Sequence, residues 1–351
     1  MGLDQEKLEA FLETFAGDLG ATMHAATVAV GDELGLYRAL AAGPQTAAEL
    51  AERAGCQPRL VEEWLNAQAA SSYCEYDPVS GRYSLTAEQA ACLADEASPT
   101  FVVSGMQLGN LAHRDLDLVR SAFESDGGVG WHEHHDDLFS GTDRFFSPRY
   151  EANLVDVWIP ALNGVQDRLL SGGSVADIGC GYGATTIMMA RAYPASTFHG
   201  FDYHAESVEA ARKAASEAGV SDRVTFEIAS AGDFPGTDYD LVCVFNAFHE
   251  FGDPGGAARH VHDVLAPGGR WLLVEPFAND RVEDNFTDLG RSFYSISTLV
   301  CVPNALSQGA TRALGAQAGE TALREIASEA GFTEVRRAAE HPLNLILEAI
   351  P

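Results

Sequence analysis

Residues 174–194, SVADIGCGYGATTIMMARAYP, restrict the fold more than any other stretch of the chain. Val175, Ala176 and Ile178 predict a short strand. Gly179, Gly181 and Gly183 let the backbone turn tightly against a ligand, and Ala184 to Ala192 continues as helix. Strand, glycine turn and helix together make a nucleotide site. The glycine spacing alone does not choose the nucleotide, because Gly179, Gly181 and Ala184 also satisfy the relaxed dinucleotide fingerprint. Asp177 stands two residues before the first glycine. There it would repel a pyrophosphate and could hold a cationic ammonium.

A second strand, Thr197 to Phe201, ends in Asp202, one helix-length further along the chain. An acid at that strand end accepts hydrogen bonds from both ribose hydroxyls, which supports adenosine without choosing the cofactor. Three more strands follow in VTFEIASAGDFPG, YDLVCVFNAFHEFGDP and LAPGGRWLLVEPF. At the chain end, GFTEVRRAAE and NLILEAI are separated by a brief polar connection, too short for a helical crossover, so they are expected to pair antiparallel at the sheet edge.

The amino-terminal third reads differently. Leu8, Leu12, Phe15, Leu19 and Met23 recur at helical spacing, a stripe that needs a partner on its own chain or on a second copy. Thr46 and Glu49 predict a capping box before a helix over Ala47 to Ala54. A second helix is expected to carry Leu60, Trp64 and Leu65 inward, and Tyr73 to Tyr76 with Arg82 to Leu85 predict a two-stranded wing. This region resembles a winged helix. Its second helix sets Arg59 beside Glu62 and Glu63, and the whole chain carries 51 Asp and Glu against 22 Lys and Arg, a formal charge of -29. Such a surface repels nucleic-acid phosphates and anionic membranes. No apolar run approaches the length of a membrane span, and the six cysteines are scattered singly, as reduced thiols in the cytoplasm would be.

Between these regions, an apolar helix is expected around Phe101 to Phe123, followed by a loop, GGVGWHEHHDDLFSG. Its Trp131, His132, His134, His135, Asp136 and Asp137 have no spacing that fixes a coordination geometry, so a solvated or substrate-facing loop is expected and no metal.

Residues 166–351 resemble a class I S-adenosylmethionine-dependent methyltransferase, with DIGCGYG as the cofactor loop, GFD as the ribose acid, SAGDF as the adenine segment and LAPGGRWLLVEP as the strand-five signature. With the winged helix and the linker NLVDVWIPAL, the whole chain resembles a group of actinobacterial proteins, and its plan is similar to dimeric small-molecule O-methyltransferases of secondary metabolism. The fold class implied is α/β: a seven-stranded Rossmann-like sheet with an antiparallel last strand, plus an amino-terminal α-helical winged-helix domain. The implied division is a winged-helix and dimerisation domain over 1–95, a helical linker and pocket lid over 96–165, and a cofactor domain over 166–351.

The resemblance implies S-adenosyl-L-methionine as cofactor, held by Asp177, Gly179, Gly181, Asp202, Tyr203, Ala231, Gly232, Asp233 and Asn246. His249 lies just past the fourth strand, where open α/β sheets place ligands, and in FNAFHEFGDP it matches the catalytic histidine of plant-type O-methyltransferases. It is either a base or a hydrogen-bonded helix-start residue; Glu250 or Glu275 could orient its imidazole. Phe286, Phe293 and Tyr294 could line an apolar acceptor or belong to the core. The expected partners are a small-molecule methyl acceptor, most simply a hydroxyl, and a second copy of the chain. Two alternatives are a winged-helix transcriptional regulator that binds S-adenosylmethionine as a ligand, and a nicotinamide-linked oxidoreductase.

Overall fold

The computed structural model describes residues 3–125 and 127–351. The chain divides into two compact units, one of residues 3–113 with 140–148, the other of residues 114–139 with 149–351, so the 96–165 segment contributes to both.

In the first unit, Asp4 caps a helix over Gln5–Glu33. Its carboxyl-terminal part turns His24 and Val28 inward, while Leu12, Phe15, Leu19 and Met23 stay between 48% and 66% exposed. The apolar stripe therefore finds no cover within the described chain. Helices Ala47–Ala54 and Pro58–Ala70 follow, the first opened by the reciprocal Thr46–Glu49 capping box. Val61, Trp64, Leu65 and Gln68 form the inner face of the second helix. Leu60 does not join them and is 71% exposed, because it sits one residue, about 100° of helical rotation, outside that stripe. The wing is a hairpin of β1 (Glu75–Asp77) and β2 (Arg82–Ser84). Buried Leu36, Tyr37, Leu50 and Leu65 form the core of this unit.

The expected helix over Phe101 to Phe123 is broken into Gly105–Arg114 and Leu116–Phe123. Asp115, at the break, holds Nδ1 of buried His134 at 2.8 Å from its Oδ2. The histidine-rich loop contains one short turn, Trp131–Glu133, and leads into the helix Asp137–Asn153.

The second unit is built on β3 (Ser174–Ile178), β4 (Thr197–Asp202), β5 (Val224–Ile228), β6 (Tyr239–Phe245), β7 (Leu265–Pro276), β8 (Glu334–Glu340) and β9 (Asn344–Ile350). They form one seven-stranded sheet in the order β5-β4-β3-β6-β7-β9-β8. The pairs from β5 through β7 are parallel, and β9 runs antiparallel to both β7 and β8. The final hairpin is thus inserted with its last strand against β7. Helices Pro254–Val264 and Glu320–Glu329 pack on one face of the sheet, where Val242, Val244, Trp271, Leu273, Ile326 and Phe332 are buried together. The strand order reverses between β3 and β6, and the carboxyl ends on either side of that point are where an open α/β sheet holds a ligand. Among the described residues, no helix is long and apolar enough to cross a membrane.

Candidate functional site

The loop after β3 is fixed by its neighbour strand. The N–H groups of Gly179 and Cys180 donate to the carbonyl of Phe201 at 2.8 and 3.1 Å, and the Gly181 N–H donates to Asp202 Oδ2 at 2.9 Å. Gly183 caps the helix Ala184–Ala192 at φ +81°, and a Cβ there would stand 2.5 Å from the Phe226 ring. At Gly181 (φ +52°) the same added Cβ would meet nothing within 4 Å, so the tip of the loop faces open space. Glycine is required at the first position by packing and backbone, and at the second by backbone with room for a ligand to approach.

Asp177 is buried at the end of β3. Its Oδ2 accepts 2.6 Å hydrogen bonds from the hydroxyls of Thr185 and Thr186, while its Oδ1, equally buried, has no partner among the described residues. Its pKa is pushed up to about 6, by burial first and by the nearby Asp202 charge, against the two threonine hydrogen bonds, which lower it. Asp202 also titrates above its ordinary value because of burial, opposed by the N–H groups of His204 and Gly181. Its Oδ1 accepts from the His204 N–H at 2.9 Å. Each Asp202 oxygen retains a second lone pair.

Tyr203, next along, is 40% exposed. Its hydroxyl accepts from the Trp131 N–H at 3.1 Å and lies 3.3 Å from Asn304 Oδ1, which also accepts from the Trp131 N–H at 3.1 Å. Ala231, Gly232 and Asp233 lie just beyond β5, half-buried or exposed. Asn246 follows β6 in the left-handed region (φ +50°). Its Nδ2 donates to the Tyr150 hydroxyl at 2.7 Å and its Oδ1 accepts from Asn344 Nδ2 at 2.8 Å, so the side chain is used by the fold.

His249 lies on a single turn, Phe248–Glu250, directly after β6, and is 3% exposed. Glu275, at the end of β7, accepts from the backbone N–H groups of Phe248 and His249 at 3.0 and 3.2 Å, and its Oε2 is 2.7 Å from His249 Nδ1. Of the two carboxylates, Glu275 therefore orients the ring. Nε2 faces Glu250 Oε1 at 3.6 Å, beyond hydrogen-bond reach. Burial lowers the His249 pKa, but the Glu275 charge and hydrogen bond, with the Glu250 charge behind them, outweigh it and hold the imidazole above its ordinary value. Phe286 is exposed, whereas Phe293 and Tyr294 are half-buried on the helix Asp288–Ile296.

The sequence reading missed four contributors. Thr185 and Thr186 had a readable signal, two hydroxyls in the first turn after the glycine loop. Asn304 and Cys301 belong to the segment FTDLGRSFYSISTLVCVPNALSQ, which is expected to help close a pocket, but nothing in it singles out these two residues; Asn304 Nδ2 donates to Glu250 Oε2 at 2.9 Å.

A family model for a methyltransferase domain matches residues 169–331, and one for a Rv2258c-like winged HTH domain matches residues 22–95. The chain is 37% identical over 107 residues to 27-O-demethylrifamycin SV methyltransferase of Amycolatopsis mediterranei, covering 30% of this chain and 39% of that protein. It is 31% identical over 134 residues to dimethylglycine N-methyltransferase of Parasynechococcus marenigrum, covering 38% and 48%. The chain thus spans less than half the length of either relative. The structure of mitomycin 7-O-methyltransferase MmcR superposes with a TM-score of 0.70 at 18% identity, over 99% of this chain and 100% of that one, which shows a shared fold. The sheet order, the glycine loop and these matches agree: the chain joins a Rv2258c-like winged helix-turn-helix domain to a methyltransferase domain.

Proposed function

We propose that the chain transfers a methyl group from S-adenosyl-L-methionine to a hydroxyl of a small molecule of secondary metabolism. The observation that carries this reading is the gathering, at the carboxyl ends of neighbouring strands, of a glycine loop between two acids (β3, β4) and a carboxylate-held imidazole (β6, β7). The residues fit the cofactor: Asp177 Oδ1 is a buried acceptor lacking a partner, suited to an ammonium, the Gly181 tip is open, and Asp202 can accept from a ribose. Ala231, Gly232 and Asp233, just beyond β5, and Tyr203, just beyond β4, are the residues proposed for the adenine and its ribose. Bound there, S-adenosyl-L-methionine supplies an electrophilic methyl on a cationic sulfur. His249, with Nδ1 fixed by Glu275, offers Nε2 to take the acceptor's proton as the new oxygen–carbon bond forms, and the adjacent carboxylates stabilise the imidazolium. The free thiols of all six cysteines accord with a cytoplasmic enzyme.

Calorimetry with S-adenosylhomocysteine and with NAD tests the cofactor. The first should bind and the second should not; the reverse would favour an oxidoreductase. Because Asp177 titrates near 6, an ammonium against it favours the ionised form. Binding should then release a proton and tighten as pH rises from about 5 to about 7. A flat profile would remove the ammonium assignment.

We also propose a homodimer closed by the exposed stripe of the Gln5–Glu33 helix, and a winged helix that does not hold duplex DNA. Arg59 on the second helix lies 2.5 Å from Glu63 and 3.8 Å from Glu62, which leaves its charge neutralised. Light scattering should give a dimer that Phe15→Glu converts to monomer. A wild-type monomer at high concentration overturns the interface, and sequence-specific retardation of DNA at physiological salt would revive the regulator.

A further inference from the structure

The neighbourhood of His249 carries more than a base requires. His249, Glu250 and Cys301 each bring a donor atom to within 4.8 Å of the other two, and His249 and Cys301 are buried. Imidazole, carboxylate and thiol are the donor types of zinc sites. Donors bound to a tetrahedral zinc at about 2.0–2.3 Å stand about 3.3–3.8 Å apart, so a movement of roughly 1 Å would close the set.

The surroundings match as well. Glu275 Oε2 sits 2.7 Å from His249 Nδ1, the carboxylate-to-imidazole contact that fixes a zinc-bound histidine through its other nitrogen, leaving Nε2 on the side of Glu250. Asn304 Nδ2 donates to Glu250 Oε2 at 2.9 Å and orients that carboxylate in turn. Charge points the same way. Glu250 and Glu275 flank one imidazole, and among the described residues their ion pairs run to His249 alone. A divalent cation would balance the excess.

We propose that His249 Nε2, Glu250 and Cys301 bind a zinc ion, with the fourth position open to water or to the oxygen or sulfur of an acceptor. With zinc bound, Nε2 cannot take a proton, so zinc loading holds the base proposed above in a silent state and the zinc-free chain is the form in which that base acts. The inference goes beyond that role and does not need it.

The test is a zinc titration of the full chain against a chromophoric chelator, paired with cobalt substitution read by absorbance. One zinc per chain is expected, together with a near-ultraviolet thiolate-to-cobalt band. Cys301→Ser should abolish the band and weaken zinc at least tenfold; Glu250→Gln should weaken it at least tenfold while the band remains, and serves as the deciding variant if the first fails to fold. Zinc affinity unchanged in the variants, or no saturable zinc in the wild type, overturns the site. Calorimetry with S-adenosylhomocysteine on the same samples reads the cofactor assignment separately.

Discussion

Replacing His249 with Ala is expected to cut methyl transfer by at least about 100-fold, the lower end of what a positioned general base contributes, and to leave cofactor affinity nearly unchanged. The separation follows from the geometry. His249 stands after β6 and is held from β7, whereas the residues proposed for the cofactor lie at the carboxyl ends of β3 and β4 and just beyond β3, β4 and β5. The pH profile adds a second readout. Glu275 and Glu250 keep the folded imidazole protonated to higher pH than a free one, and only its neutral form can accept a proton. Turnover should therefore rise with pH through a value above that of an ordinary histidine, and that limb should disappear in His249→Ala. Glu275→Gln should move the limb to lower pH, because it removes the charge that favours the imidazolium. A variant that keeps turnover within a few-fold of wild type across neutral pH would make His249 structural and leave catalysis to alignment by the pocket.

What could be read from the sequence was what local chemistry decides. The glycine loop, the acids at two strand ends and the Thr46–Glu49 capping box are short-range patterns whose geometry follows from neighbouring residues, and each occurs where its pattern placed it. The carboxyl-terminal hairpin was legible because a connection of a few residues permits little besides an antiparallel return. Long-range partners were not legible. Nothing near Asp115 in sequence announces that His134 will claim its carboxylate and that the helix will break there. Asn246 stood in a plausible place for a ligand contact, yet Tyr150 and Asn344, both far away in sequence, occupy its amide. Glu275 and Glu250 were equal candidates to orient His249 until the register of β7 put one of them 2.7 Å from Nδ1. The same dependence on fold hid Cys301 and Asn304.

Asp202→Ala is expected to weaken S-adenosylhomocysteine binding by about 1–3 kcal/mol, the range for leaving a buried hydrogen-bonding group without its partner, which is roughly a 5- to 150-fold rise in Kd. Two effects contribute, and they can be separated. Asp202 accepts from the Gly181 N–H and the His204 N–H, so its loss also removes one of the three bonds that tie the glycine loop to β4, while those from Gly179 and Cys180 to the Phe201 carbonyl remain. Asp202→Asn keeps one acceptor oxygen but turns an amide N–H toward one of those donors, so it should loosen the loop while retaining part of any ribose contact. If Asp202 holds the ribose, Ala should bind the nucleoside product more weakly than Asn does, even where the two variants melt at the same temperature. Binding that follows only the loss of thermal stability, or that stays at the wild-type value in both variants, would leave Asp202 as the clasp of the glycine loop and move the ribose to another acceptor.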